Sequence, residues 1–328
     1  MGDVTVLVEA DLRDLIGLGA DELAAIDAVY PIVSRGEGSM PPIMSLDVAA
    51  HHGEVDVKAA YLPGYDGIAV KVSAGFFDNP SRGLPSLGGL MIVLDATTGV
   101  PAAALFDNGY LTDLRTALAG AVAARHLARP DASVVGVVGA GLQARLQLEA
   151  LRLVRPVTSV RVWARRPDAA AGYAAWAAED LGVDAVAVST PADVVTAGGI
   201  VVTTTPATEP LLDETSLRPG VHVTAIGADA PGKRELSTGL LRAADRVVVD
   251  RRNQSLTLGE LRAAVADGFD VAAAIELGEV IAGTAPGRTG PDDVTVCDLT
   301  GTGAQDTAIA ALAVSRARQV GRGTVIAT

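Results

Sequence analysis

Cysteine is almost missing from this chain of 328 residues: the single one is Cys297. An internal disulfide framework and a cysteine-ligated zinc site are thereby excluded. In the apolar run "VTVCDLTG" the thiol reads as a small buried hydrophobe. Aromatic residues make up 3% while hydrophobic residues make up 49%, so the core has to be built from Ala, Val and Leu. Lysine is scarce too, with only Lys58, Lys71 and Lys233 among 26 basic residues. A GC-rich coding bias toward arginine accounts for the skew and singles out each remaining lysine. The four histidines, two of them adjacent at His51 and His52, offer no metal-ligand spacing. A formal charge of −13 lacks the clustered cations of a nucleic-acid or anionic-membrane surface. No apolar run reaches the roughly 18 residues that mark a membrane span. The opening "MGDVTVLVEADLRD" has no basic n-region of a secretory signal, and Val6 breaks the myristoylation pattern. The expectation is a soluble, cytoplasmic protein without nucleic-acid or membrane partners.

What is present is length for two domains and a strong alternation of patterns. From Val134 to about Asp298, Val-rich runs such as "VVGVVG", "VTSVRVWA", "GGIVVTTT", "VHVTAIGA" and "DRVVVD" alternate with Ala- and Leu-rich helical segments. Strands separated by helices form βαβ units, and right-handed crossovers then give a doubly wound parallel sheet. The first 110 residues differ. There the runs "EVDVKAAYLP", "GIAVKVSAGFF" and "GGLMIVLDATTG" follow one another with turns between, which suggests a mixed or antiparallel sheet. The segment from Leu111 to Arg129 reads as a long helix ended by Pro130 and bridging two domains. The last helix is expected to return to the first domain. The expected fold is therefore α/β, with residues 116–306 as the doubly wound domain and residues 1–115 with 307–328 as a discontinuous α+β domain.

The stretch "VVGVVGAGLQARLQ" fits strand, tight turn and helix. Gly139, Gly141 and Ala144 space out as G-x-G-x-x-A. The first glycine permits the turn, the second leaves no Cβ against a pyrophosphate, and the alanine lets helix and strand pack closely. At the start of a βαβ series this is a Rossmann-type dinucleotide site, with Gly139, Ala140, Gly141, Leu142 and Gln143 around the phosphates. A packing-only glycine turn is the competing reading. A ribose-binding acid is expected at the end of the second strand, but "VRVWARRPD" has Ala164, Arg165 and Arg166 there. Two guanidiniums suit a 2′-phosphate, so NADP(H) is favoured over NAD(H). Asp168 is the competing ribose ligand.

Beyond this loop, the segments "LTDLRTALAGAVAARHLARPD", "GVVGAGLQA", "AIGADAPGKREL" and "CDLTGTGAQDTA" together resemble the ornithine cyclodeaminase/μ-crystallin family over almost the whole chain. "IAVKVSAGFFDNPSRGLPSLGGLMIVLDATTG" looks closest to the branch named for ectoine utilisation. The resemblance implies a homodimer, with the terminal segments forming a dimerisation and substrate lobe and the active site between that lobe and the Rossmann domain. It implies hydride transfer at the nitrogen-bearing carbon of an α-amino or α-imino acid. Lys71 and Arg115 match the residues that hold the substrate carboxylate, and Asp229 matches the acid that handles the amine and moves protons. Gly301 falls in the substrate-side motif, and Thr204 and Thr205 fall on the cofactor side.

Two positions depart from the family pattern. Its second arginine, in motifs such as Pro-x-x-Arg, falls at Ser45 in "MPPIMSLDV", and Ala59 and Ala60 stand near a family glutamate. The serine removes one charge from the carboxylate clamp and weighs against ornithine recognition. Three readings follow: an NAD(P)-dependent imine reductase or amino-acid dehydrogenase, a redox-neutral ammonia-releasing cyclodeaminase, and a μ-crystallin-like nucleotide-dependent binding protein.

Overall fold

Valine-rich runs extend because β-branched side chains fit a pleated surface, while alanine-rich runs coil because alanine loses no side-chain freedom in a helix. In the computed structural model, which describes residues 3–327, these preferences sort the chain into two compact units. One comprises residues 1–115 and 302–328, the other 116–301. The helix Gly303–Val320 belongs whole to the first unit, so the break precedes Thr302 and not residue 307.

The first unit holds a seven-stranded sheet. Its strands are β1 (Asp3–Val8), β2 (Met44–Val48), β3 (Gly53–Ala60), β4 (Gly67–Phe76), β5 (Leu87–Asp95), β6 (Pro101–Phe106) and, from the chain end, β15 (Thr324–Ala327). The order is β15-β1-β6-β5-β4-β3-β2. Only β1 and β6 run parallel, so the sheet is mixed. Two strands were not expected. Strand β2 hides behind "MPPI", and β15 follows the final helix as four residues after a glycine-rich turn. One sheet face carries the buried Leu7, Ala69, Lys71, Met91, Val93 and Leu105. The helices Ala20–Ser34 and Gly303–Val320 pack against each other, and the second lies on β3 and β4.

The second unit holds eight strands, all parallel: β7 (Val134–Val138), β8 (Ser159–Trp163), β9 (Asp184–Ala187), β10 (Ile200–Thr203), β11 (His222–Ala225), β12 (Arg246–Val249), β13 (Ala274–Glu276) and β14 (Thr295–Asp298). Their order is β13-β12-β14-β11-β10-β7-β8-β9. Strands β7, β10, β11 and β14 are buried along nearly their whole length, as a sheet covered on both faces requires. The order reverses direction between β7 and β10, and such a switch point opens a crevice at the carboxyl ends of the strands. Strand β13 escaped the sequence because three residues cannot display a period. Cys297 is buried and reduced, and His222 is buried between the hydroxyls of Thr295 and Thr224, where desolvation lowers its pKa to about 3. No helix among the described residues is long and apolar enough to cross a membrane.

Candidate active site

In the first unit, Arg115 stands in the second turn of the helix Tyr110–Leu127, whose start is fixed by the buried Asp107 accepting the Leu111 N–H at 2.9 Å. Lys71 stands in the middle of β4, on the buried face. Both reach one carboxylate. Asp306, fully buried near the start of the helix Gly303–Val320, lies 3.0 Å from Lys71 Nζ and 3.0 Å from Arg115 Nε. Arg115 also donates to Gln305 Oε1 at 3.1 Å, and Gln305 Nε2 donates to the Tyr30 hydroxyl at 2.7 Å. Two buried cations thus share one buried anion. Burial and the adjacent guanidinium outweigh Asp306 and bring the Lys71 ammonium down to about 7. The same cations hold the Asp306 carboxyl below its ordinary range despite its burial.

Lys58 is the direct cross-strand partner of Lys71, so both side chains leave the sheet on the same side. Ser45 pairs with Asp56, which places it on that same face, exposed and on the edge strand β2. Asp306, Gln305 and Tyr30 were not singled out in the sequence. The signal for the first two was in view, inside "GTGAQDTA", but nothing local shows that a helix start some 235 residues from Lys71 supplies its counter-ion.

In the second unit the glycine loop follows β7 at the switch point. Gly139 has φ +117°, and a Cβ there would lie 2.5 Å from Thr204 Oγ1. Its N–H donates to Trp163 O at 2.8 Å. A Cβ on Gly141 would meet nothing within 4 Å. Gly141 caps the helix Leu142–Leu151 without any side-chain bond to the first turn, so that turn's N–H groups are left for an anion. Ala144 is fully buried under the helix, as close helix–strand packing requires. Ala140 and Gln143 are half-buried and Leu142 is exposed. This open glycine cradle fits a dinucleotide pyrophosphate. Arg165 and Arg166 are exposed beyond β8, next to the half-buried Ala164, and Arg166 lies 4.0 Å from Asp168. Thr204 follows β10 and donates its N–H to Val138 O, while Thr205 donates N–H and hydroxyl to Glu235. Gly301 is buried in the loop after β14, its N–H donated to Asp250 at 2.7 Å. Asp229 lies in the loop after β11 with 54% of its side chain exposed, 2.7 Å from Lys233 Nζ.

The structure therefore gathers Lys71 and Arg115 around Asp306 in one unit, and the glycine loop, Thr204, Thr205 and Asp229 in the other. It also shows five fully buried carboxylates absent from the sequence reading: Asp107, Glu235, Asp250, Glu260 and Asp298. Among the described residues no group of three or more His, Cys, Asp or Glu is placed to hold a metal ion.

Comparison with known proteins gives a consistent picture. The sequence profile of the Ornithine cyclodeaminase/mu-crystallin family matches residues 5–321. A Rhizobium meliloti protein with a provisional dehydrogenase name is 49% identical, the match covering 99% of each chain. An archaeal alanine dehydrogenase dimer with bound NAD superposes with a TM-score of 0.92 at 33% identity, covering 99% of each chain. The Delta(1)-pyrroline-2-carboxylate reductase of Thermococcus litoralis, in complex with NADH and L-proline, also gives 0.92, at 28% identity over 98% of this chain and 100% of that one.

Proposed function

The chain belongs to the ornithine cyclodeaminase/mu-crystallin family, and on that premise we propose that it transfers a hydride between a nicotinamide dinucleotide and the nitrogen-bearing carbon of an α-imino or α-amino acid. The observation that carries this reading is the sharing of Asp306 by Lys71 and Arg115. A buried lysine and a guanidinium side by side suit a substrate carboxylate, to which the guanidinium offers a planar fork.

Gly139 to Gln143 with Thr204 and Thr205 would hold the dinucleotide, and Arg165 with Arg166 would select NADP(H) by pairing with a 2′-phosphate. Bound there, the nicotinamide supplies or accepts the hydride. In the reductive direction the imine carbon gains the hydride and the nitrogen gains a proton, which Asp229 delivers. In reverse Asp229, as a carboxylate, takes a proton from the substrate ammonium, and the freed nitrogen lone pair forms the C=N bond as the hydride leaves the carbon. Lys71 and Arg115 hold the substrate carboxylate throughout, and Gly301 lies on the substrate side. Ser45, standing where an arginine completes the family clamp, weakens the case for cyclising a diamino acid. We place the working protein in the cytoplasm as a homodimer.

The reading is tested by offering 2-oxo acids with amines, cyclic imines and diamino acids, following NADPH and NADH oxidation and assaying ammonia separately. Ammonia release from a diamino acid without net cofactor turnover would mean a cyclodeaminase instead. On the best substrate, Asp229→Asn should lower kcat by about 10²–10⁴, the range for a positioned acid or base, with cofactor affinity nearly constant. Wild-type turnover by that variant would remove Asp229 from the mechanism.

A further inference from the structure

Glu235 is fully buried and accepts four hydrogen bonds. Oε1 takes the Thr205 N–H at 2.6 Å and the Thr205 hydroxyl at 2.8 Å. Oε2 takes the Thr203 hydroxyl at 2.6 Å and the Gly227 N–H at 2.8 Å. One carboxylate therefore ties the loop leaving β10 to the loop leaving β11. The fit is close: a Cβ on Gly227 would collide with the Thr205 carbonyl oxygen and lie 2.6 Å from the Thr205 nitrogen. Glu235 is held in turn, because its own N–H donates to Glu260 at 2.7 Å and Leu236 N–H donates to the same carboxyl at 3.1 Å. Both tied loops lie at the carboxyl ends of parallel strands, where an open α/β sheet binds its ligand.

The contents of those loops give the arrangement its meaning. Thr204 and Thr205 are the residues assigned to the cofactor, and Asp229 comes two residues after Gly227. We propose that Glu235 is a positioning residue that sets the spacing between the cofactor-side threonines and the acid/base loop, touching neither cofactor nor substrate itself. The inference rests on the functional reading above. A carboxylate suits the task because all four neighbours are donors, and a buried backbone N–H left without an acceptor is costly. An amide in its place can accept on one side only. Its NH2 then faces either the Thr205 N–H or the Gly227 N–H, so one loop must let go.

The test uses Glu235→Gln in the full chain, with Thr203→Val as a milder variant that removes one of the four bonds. Cofactor dissociation constants, kcat and KM per folded molecule are measured well below the melting temperature, with amide hydrogen exchange at Thr205 and Gly227. For Glu235→Gln we expect faster exchange at one of those amides, at least tenfold lower kcat, severalfold weaker cofactor binding and a substrate KM within about twofold of wild type. Thr203→Val should change the same quantities in the same direction, less strongly, and it decides the matter if Glu235→Gln does not fold. A purely structural glutamate would lower the melting temperature and leave kcat per folded molecule unchanged. That outcome overturns the positioning role while wild-type cofactor binding and turnover stand. Wild-type protein that binds neither NADH nor NADPH overturns the functional reading and this inference with it.

Discussion

Lys71 couples stability and binding to pH with opposite signs. The folded chain releases its proton near pH 7, whereas the unfolded chain keeps it to 10.5. Between those values the unfolded state binds more protons, so this residue makes stability rise with pH, by up to about 1.4 kcal/mol per pH unit. The ammonium form is the one that attracts a carboxylate, so affinity for carboxylate substrates should fall as pH rises through 7. Melting temperature and KM measured from pH 6 to 9 check both, and Lys71→Met should flatten both slopes. A KM that is level with pH in the wild type would mean Lys71 does not hold the substrate. Arg165 and Arg166 carry a second expectation at this scale. Changing both to Ala should weaken NADPH by about 1–3 kcal/mol, the value of charge-assisted bonds, and leave NADH nearly untouched, as titration by cofactor fluorescence would show. Equal losses would assign the pair to a solvated turn. Residue type made Lys71 conspicuous in a chain so poor in lysine, whereas Arg115, one arginine among many, stood out only through its family motif "LTDLRTA". Asp306, Glu235 and Glu260 had no such mark, because a carboxylate in a sequence looks the same whether it faces water or is buried among donors.

At the scale of the element, the turn from β7 into the helix Leu142–Leu151 separates two glycines that look alike in sequence. Gly139 needs its positive φ and has Thr204 against it, so Gly139→Ala should destabilise the fold by about 1–3 kcal/mol. Gly141 has φ −87° and open space beyond its Cβ position, so Gly141→Val should fold with an ordinary melting temperature. Its isopropyl group would occupy the pyrophosphate approach, and cofactor binding should vanish. Thermal melts paired with cofactor titration distinguish the two, and a Gly141→Val protein that still binds NADPH would reduce the motif to packing. This loop was legible because its function requires a local pattern: strand, glycines at fixed spacing, helix. The parallel strands were legible for a similar reason, as unbroken valine runs between helices. Strands β2, β13 and β15 were not, since none carries the valine run that marks the others and each gains its strand character from the neighbour it pairs with.

The sheet of the first unit bears on the whole molecule. In β4 the odd positions from Gly67 to Lys71 face the core, so Ile68, Val70 and Val72 face the other way. Register carries that second face through Leu90 and Ile92 of β5, Val57 of β3 and Met44 and Leu46 of β2. An antiparallel sheet with one wet side would alternate apolar with polar residues, but here no charged residue interrupts the outer face of these strands. Met44 is 61% exposed and Leu46 59%, and the central positions are only half-buried within the chain. Monomers seldom present an apolar surface this continuous to water, and the archaeal alanine dehydrogenase of the same fold is a dimer. We expect two copies to bury this face against each other, with the seven strands of each contributing. Val70→Asp and Ile92→Lys put a charge at the centre of that face without touching Lys71, Arg115 or Asp306, whose side chains leave the sheet or helix elsewhere. Light scattering behind size exclusion should show the wild type at twice the mass of one chain, and each variant should shift to one chain or aggregate. A wild type that elutes as a single chain at micromolar concentration would leave the apolar face unexplained and would remove the homodimer from the proposed function.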